Sequence, residues 1–323
     1  MKRLCMEKLV EWKHSPSRKP LLLTGARQVG KTWLVKEFGR TQFKSLAYIS
    51  FESNERMARL FAGDITPSRL IPALSLEAGV PIQPANTLIV FDEVQEVPRA
   101  LTSLKYFNEN APEYAVIATG SSLGVTVHPG TSFPVGQVHF QKLYPLSFRE
   151  FLMACGEEGL SDLIADADTE MMSVFHERIL EQLKYYLIIG GMPEAVREFA
   201  EAKPAVDFER IGEVQARILR NYRDDFSKHS QLAPRGLPLR LNQVWDSIPS
   251  QLSRENKKFM YTAVRESGRG RDFELAIQWL VDTSLALKAT RVVTPQYPLK
   301  MHEDFASFKL FLSDVGLLRT MAG

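Results

Sequence analysis

The stretch LLLTGARQVGKTWLVKEFG, beginning at Leu21, constrains the fold more than any other part of this chain. Leu21, Leu22 and Leu23 make an apolar run with the length of a buried strand, and Thr32 to Phe38 has helical spacing. Between them Gly25 to Thr32 fits G-x-x-x-x-G-K-[ST]. Glycine opens backbone conformations closed to other residues, so the amides of Gly25, Ala26, Arg27, Gln28, Val29, Gly30 and Lys31 can turn inward at the positive end of the following helix. Such a cradle suits a phosphate chain. Lys31 is placed to reach β- and γ-phosphates, and the Thr32 hydroxyl to ligate magnesium.

A phosphate loop of this kind calls for an acidic partner on a second buried strand. TLIVFDEVQEVPRA supplies it: Leu88 to Phe91 is a β-type apolar run that ends in Asp92-Glu93, at the strand end where α/β folds collect ligands. Asp92 is assigned to magnesium, directly or through water, and Glu93 to polarising an attacking water. A third run, Tyr114 to Ala118, ends in Thr119-Gly120-Ser121-Ser122. Its hydroxyls are placed to sense a terminal phosphate or orient the water, from Ser121 or alternatively from Thr119.

The order of these parts, phosphate loop, strand with Asp-Glu and strand with a polar terminus, resembles the AAA+ ATPases. FPVGQVHFQKLYPLSFREFL (Phe133 to Leu152), YYLIIGGMPEAV (Tyr185 to Val196) and VWDSIPSQLSRENKK (Val244 to Lys258) make the chain similar to a prokaryotic AAA-type family. In that family the ATPase core joins a C-terminal region of unknown function with a winged-helix part and often a nuclease-like fold beyond. The resemblance covers nearly the whole chain and implies ATP and ADP as ligands, Mg²⁺ as the metal and ATP hydrolysis as the activity. Relatives generally run further than Gly323, which makes this chain look shortened. The family's Gly-Gly-x-Pro, here Gly190, Gly191 and Pro193, implies that Gly191 and Pro193 approach the nucleotide from a helical lid. One position departs from the pattern. Where relatives often carry Arg or Lys near the arginine-finger position, this chain has Gln137. Arg149 and Arg223 remain as candidates for charge neutralisation, with surface ion pairing as the ordinary alternative.

The expected fold is α/β: a three-layer αβα P-loop NTPase core with a parallel five-stranded sheet over residues 1–149, its strands near Leu21, Leu46 to Phe51, Leu88, Ala115 and Val138. A helical lid follows over residues 150–235. A winged-helix-like unit is expected over 236–300, with helices near Leu241 and Lys257, a turn at Glu266 to Gly270, a helix from Arg271 and an alternating strand, LALKATRVV. Residues 301–323 begin the shortened C-terminal region. Along RDFELAIQWLVDTSLA, the residues Phe273, Ala276, Ile277, Leu280 and Val281 should face the core, leaving Glu274, Gln278 and Asp282 outside. Carboxylates on that outer row oppose sequence-specific reading of DNA.

Composition narrows the partners. With 40 Lys+Arg against 38 Asp+Glu the formal charge is +2, so no global field draws the chain to nucleic acid or an anionic membrane. Cys5 and Cys155 lie far apart, and the six histidines are dispersed, which indicates neither a disulfide framework nor a structural metal. The N-terminus reads as an amphipathic helix and not as a signal peptide, and no apolar run spans a bilayer, so a cytoplasmic protein is expected. The function expected is a nucleotide-controlled switch acting on an unknown protein partner, with Mg²⁺-dependent ATPase activity. The alternatives are a self-associating AAA+ remodeller, or a DNA-associated ATPase whose winged helix makes weak nonspecific DNA contact.

Overall fold

The computed structural model describes residues 1–121, Pro134, 136–202, 205–228 and 236–323. Ser122, Phe133, Val135 and residues 232–235, each part of a segment read above, lie outside the described residues. The chain divides into two compact units, Lys2–Tyr144 and Pro145–Gly323.

The first unit runs α1 (Cys5–His14), β1 (Leu21–Thr24), α2 (Lys31–Gln42), β2 (Ser45–Ser50), α3 (Glu55–Ala62), α4 (Pro67–Ala78), β3 (Thr87–Asp92), α5 (Pro98–Asn110), β4 (Ala115–Gly120) and β5 (His139–Lys142). Its five strands pair in the order β2-β3-β4-β1-β5, every pairing parallel. This is the α/β P-loop NTPase sheet expected, with the phosphate-loop strand inserted between β4 and β5. β3 and β4 are buried at every position, as strands covered on both faces must be.

Alternation along β3 decides what its last residue does. Phe91 points into an aromatic cluster, edge-on to Phe51 (5.5 Å between centroids), Phe61 (5.8 Å) and Phe107 (6.1 Å). Each such pair adds roughly 0.5–1.5 kcal/mol beyond area burial. With Phe91 committed to that face, Asp92 emerges on the other.

The second unit begins with α6 (Phe148–Ala154), α7 (Glu158–Asp166), α8 (Thr169–Val174), α9 (His176–Ile189), α10 (Pro193–Ala202) and α11 (Phe208–Lys228). It continues with α12 (Leu237–Leu252), α13 (Tyr261–Val264), α14 (Gly270–Asp282), β6 (Ala286–Val292), β7 (Glu303–Leu312) and α15 (Val315–Ala322). β6 and β7 form an antiparallel ribbon with a register shift between Thr290 and Arg291. The short helix α13 lies after Lys257, not on it. On α14 the buried row is Phe273, Ala276, Ile277, Trp279 and Leu280, with Glu274 and Gln278 exposed. Val281 is half-buried, and Trp279 is buried, edge-on to Phe226 of α11 at 5.4 Å between centroids.

One carboxylate organises this unit. Asp314 caps α15 by accepting from the Leu317 amide (2.9 Å) and also accepts from the Gly191 amide (2.6 Å). The Gly191 carbonyl in turn accepts from the Leu146 amide at 2.7 Å. Gln215, on α11, donates to the Ile188 and Ile189 carbonyls at the end of α9 (3.0 and 2.9 Å), and Thr320 of α15 donates to Gln215 (2.8 Å). A Cβ at Gly190 would overlap Asp314, and one at Gly191 the Leu146 carbonyl, so the glycine pair is required by close packing within this unit. Burial pushes the Asp314 carboxyl up, against the opposing pull of its amide donors.

Asp314→Ala strands the Gly191 and Leu317 amides and removes the cap, so it should lower the unfolding free energy by about 2–4 kcal/mol. Urea denaturation measures this; a loss well below 1 kcal/mol would show that water replaces the carboxylate at no cost.

Candidate functional site

The site is built on the ends of β1, β3 and β4. Gly25 follows β1 with φ 152°, and a Cβ there would overlap the Leu143 carbonyl. Gly30 precedes α2 with φ 93°, a left-handed turn that tips the chain into the helix. Two residues that are not glycine share left-handed backbone at this site, Gln28 (φ 66°) and Glu93 (φ 55°). Such conformations cost of order 1–3 kcal/mol each and gather where function holds them.

Loop and strand ends enclose a cleft of about 540 Å³. Arg27, Gln28, Gly30, Lys31 and Thr32 line one side, and the carboxylates Glu52, Glu93 and Glu96 also line it. Ala26 and Val29 are buried, so their contribution to the cradle is confined to backbone groups. The Lys31 ammonium donates to the carbonyls of Gly25 and Ala26, each at 2.9 Å. Burial pushes it down to about 8, against the pull of Glu93 and Asp92 and with the help of Arg27.

Asp92 is buried and accepts from three hydroxyls. Thr32 Oγ1 donates to Oδ2 at 3.0 Å, Tyr48 Oη donates to the same oxygen, and Thr119 Oγ1 donates to Oδ1. The Glu93 carboxylate accepts from Gln95 Nε2, while the Gln95 Oε1 atom is buried without a hydrogen-bond partner. Ser121 is buried just beyond β4. Thr119, the alternative in the sequence, is the residue that reaches Asp92.

Arg3 was not marked by the sequence. Its guanidinium donates to the Val29 carbonyl (2.8 Å) and the Tyr144 carbonyl (2.6 Å), bracing the phosphate loop from the N-terminus. Tyr48, Glu52 and Glu96 were likewise missed. The one signal for Tyr48 was the alternation in SLAYIS, which puts it on the face of Ser50, the register partner of Asp92.

The remaining candidates have ordinary partners. Arg149 donates to the Ser161 carbonyl (3.1 Å), Arg223 pairs with Asp246 (2.7 Å), and the Gln137 side chain accepts from Asn108. Gly191 and Pro193 belong to the second unit, where both backbone polar groups of Gly191 are engaged. Among the described residues no cluster of three or more His, Cys, Asp and Glu side chains is arranged to hold a metal, and no helix is long and apolar enough to cross a membrane.

Magnesium fits this donor set. It takes hard oxygen ligands, commonly one or two carboxylates with substrate phosphates and water, and needs no closed cage of protein ligands. Thr32 and the buried Asp92, held together at 3.0 Å, supply that kind of partial shell.

Residues 17–152 match a family model described as AAA domain, and residues 180–323 match a domain of unknown function (DUF8612). No curated protein matches the chain. Among solved structures, the Walker-type ATPase paby2304 of Pyrococcus abyssi is similar with a TM-score of 0.60 and 15% identity, over 99% of this chain and 95% of that one. At that identity the likeness is one of fold. AMPPCP-bound DnaA from Aquifex aeolicus (TM-score 0.39, 14% identity, 86% of each chain) is more distant. So is the Aeropyrum pernix ORC1 protein in complex with DNA (TM-score 0.34, 14% identity, 98% of this chain and 90% of that one). Motif, sheet order and family match agree, and the chain therefore carries an AAA domain of the P-loop ATPase class over residues 17–152, followed by a domain of unknown function over residues 180–323.

Proposed function

We propose that this protein binds ATP with Mg²⁺ and hydrolyses it, and that nucleotide occupancy serves as a switch for an unknown protein partner. The observation that supports this most is the meeting of Lys31, Thr32, Asp92 and Glu93 at adjoining strand ends around the 540 Å³ cleft. In this reading the amides from Gly25 to Lys31 hold the phosphate chain, and the Lys31 ammonium turns from its loop carbonyls to the β- and γ-phosphates. Thr32 and Asp92 hold the metal, which when bound neutralises and orients those phosphates. Glu93 polarises the attacking water. Its left-handed backbone and its bond from Gln95 fix the carboxylate at the cleft. Ser121 senses the terminal phosphate, while Thr119 orients Asp92. Gly191 and Pro193 meet the nucleotide from the lid; this part rests on the family resemblance.

The switch is preferred to an oligomeric remodeller because Gln137 stands at the arginine-finger position and Arg149 and Arg223 have partners within the second unit. The order α12, α13, α14 and β6-β7 ribbon supports a winged helix. The exposed Glu274 and the Gln278 to Asp282 bond (2.7 Å) on the outer row of α14 favour protein contact, or weak nonspecific DNA contact, over base reading.

Lys31→Ala should abolish nucleotide binding in calorimetry. Glu93→Gln should keep binding and slow hydrolysis by on the order of a hundredfold, read as phosphate release; equal turnover in the variant and the parent would remove Glu93 from its role.

Binding should also depend on pH. With burial holding Lys31 down at about 8, the free cleft should lose its proton progressively above that pH and the phosphates should restore it, so that binding takes up a proton. ATP affinity should be flat below that pH and then fall by up to tenfold per unit. Calorimetry at pH 9 in buffers of different ionisation heat counts the protons; no uptake would show that Lys31 stays charged in the free cleft.

Finally, ATP should slow amide exchange around Tyr185 to Val196. Protection restricted to the phosphate loop would remove Gly191 and Pro193 from the nucleotide site.

A further inference from the structure

The phenol of Tyr48 has no part in the loop, the metal shell or the water-activating group, yet its hydroxyl donates to Asp92, the most central carboxylate of the site. Its place there follows from the sheet. Ser50 is the register partner of Asp92 and Tyr48 of Val90, so Tyr48 lies diagonally across from Asp92 on the same face. The helix above repeats the arrangement. Thr32 and Lys36 are one turn apart on α2. Thr32 donates to Asp92, and the Lys36 ammonium sits 4.0 Å from the centroid of the Tyr48 ring. The ring is therefore held between a cation on its face and a carboxylate at its hydroxyl, which restrains it in one orientation.

A carboxylate offers about four acceptor positions. Thr32, Tyr48 and Thr119 fill three of those on Asp92. What is left suits a single polarised donor, such as a water held by the metal, better than direct seating of the ion.

We propose that Tyr48 is a positioning residue for magnesium: its hydroxyl locks the Asp92 carboxylate so that one acceptor position faces the metal's water shell. The proposal rests on the nucleotide-binding reading above and adds to it a residue from β2 that neither the loop motif nor the Asp-Glu pair contains. Groups that orient metal ligands from outside the shell are typically worth ten- to a hundredfold in metal affinity.

Tyr48→Phe tests it in the whole 323-residue chain, because the ring, its packing and its contact with Lys36 remain and one O–H is lost. A fluorescent ATP analogue is titrated in chelator, and then Mg²⁺ is titrated at fixed nucleotide. The expected result is unchanged affinity without metal, a Mg²⁺ midpoint raised on the order of tenfold and a melting curve close to the parent's. An unchanged midpoint overturns the role of Tyr48 and leaves the nucleotide reading standing. A parallel loss of affinity with and without metal also overturns it, since that is the signature of damaged packing. A parent chain that binds no nucleotide under either condition removes the functional reading and this one together, and the parent's own titration makes that outcome distinguishable.

Discussion

Asp92 can receive three hydroxyls only because Phe91 cannot turn around. The aromatic cluster of Phe51, Phe61, Phe91 and Phe107 takes one face of β3, and strand alternation hands the next residue to the other. There the parallel order β2-β3-β4-β1-β5 places a β2 residue on one side of Asp92 and a β4 residue on the other, with α2 above. A slip of one residue in either pairing would exchange the faces and scatter the donors. The polar centre of this domain is thus a by-product of its most apolar part. An aromatic core of this kind does more than stabilise; it fixes the phase of the strand that carries the chemistry.

How much of this was legible in the sequence depended on distance along the chain. Gly25 to Thr32 and Asp92-Glu93 are contiguous, and each stands at a change of periodicity, so both the residues and their strand-end setting could be read directly. The central strands β1, β3 and β4 were legible for the same reason, because buried parallel strands are apolar runs, whereas β5, HFQK, has no fully buried position. Tyr48, Glu52 and Arg3 are different. Each reaches the loop, Asp92 or the cleft through pairing register or a long side chain, and nothing local in SLAYIS or MKRLCMEK marks a partner tens of residues away. In the C-terminal part, the apolar row of α14 was legible from its spacing. The burial of Trp279 was not, because it depends on Phe226 of α11, which packs edge-on to the indole.

The glycine pair Gly190-Gly191 illustrates how packing alone can require a short motif. Its packing against Asp314 and Leu146 accounts for the absence of side chains without any ligand. It ties the end of α9 to the start of α15, residues well over a hundred positions apart, through a buried carboxylate. The domain of unknown function, which spans 180–323, therefore closes on itself: its early helix α9, its middle helix α11 and its last helix α15 share Gln215, Gly191 and Asp314. Such closure places the Gly-Gly turn and the first turn of the last helix on the same carboxylate.

The Arg3 brace bears on how this protein is handled. The third residue donates to the Val29 carbonyl of the phosphate loop and to the Tyr144 carbonyl beyond β5, so Arg3 supports the loop from behind the cleft lining. Affinity tags, cleavage scars and surface-immobilisation linkers are commonly placed at that end on the assumption that it is inert. In this molecule such an addition sits two residues from the side chain that braces the phosphate loop.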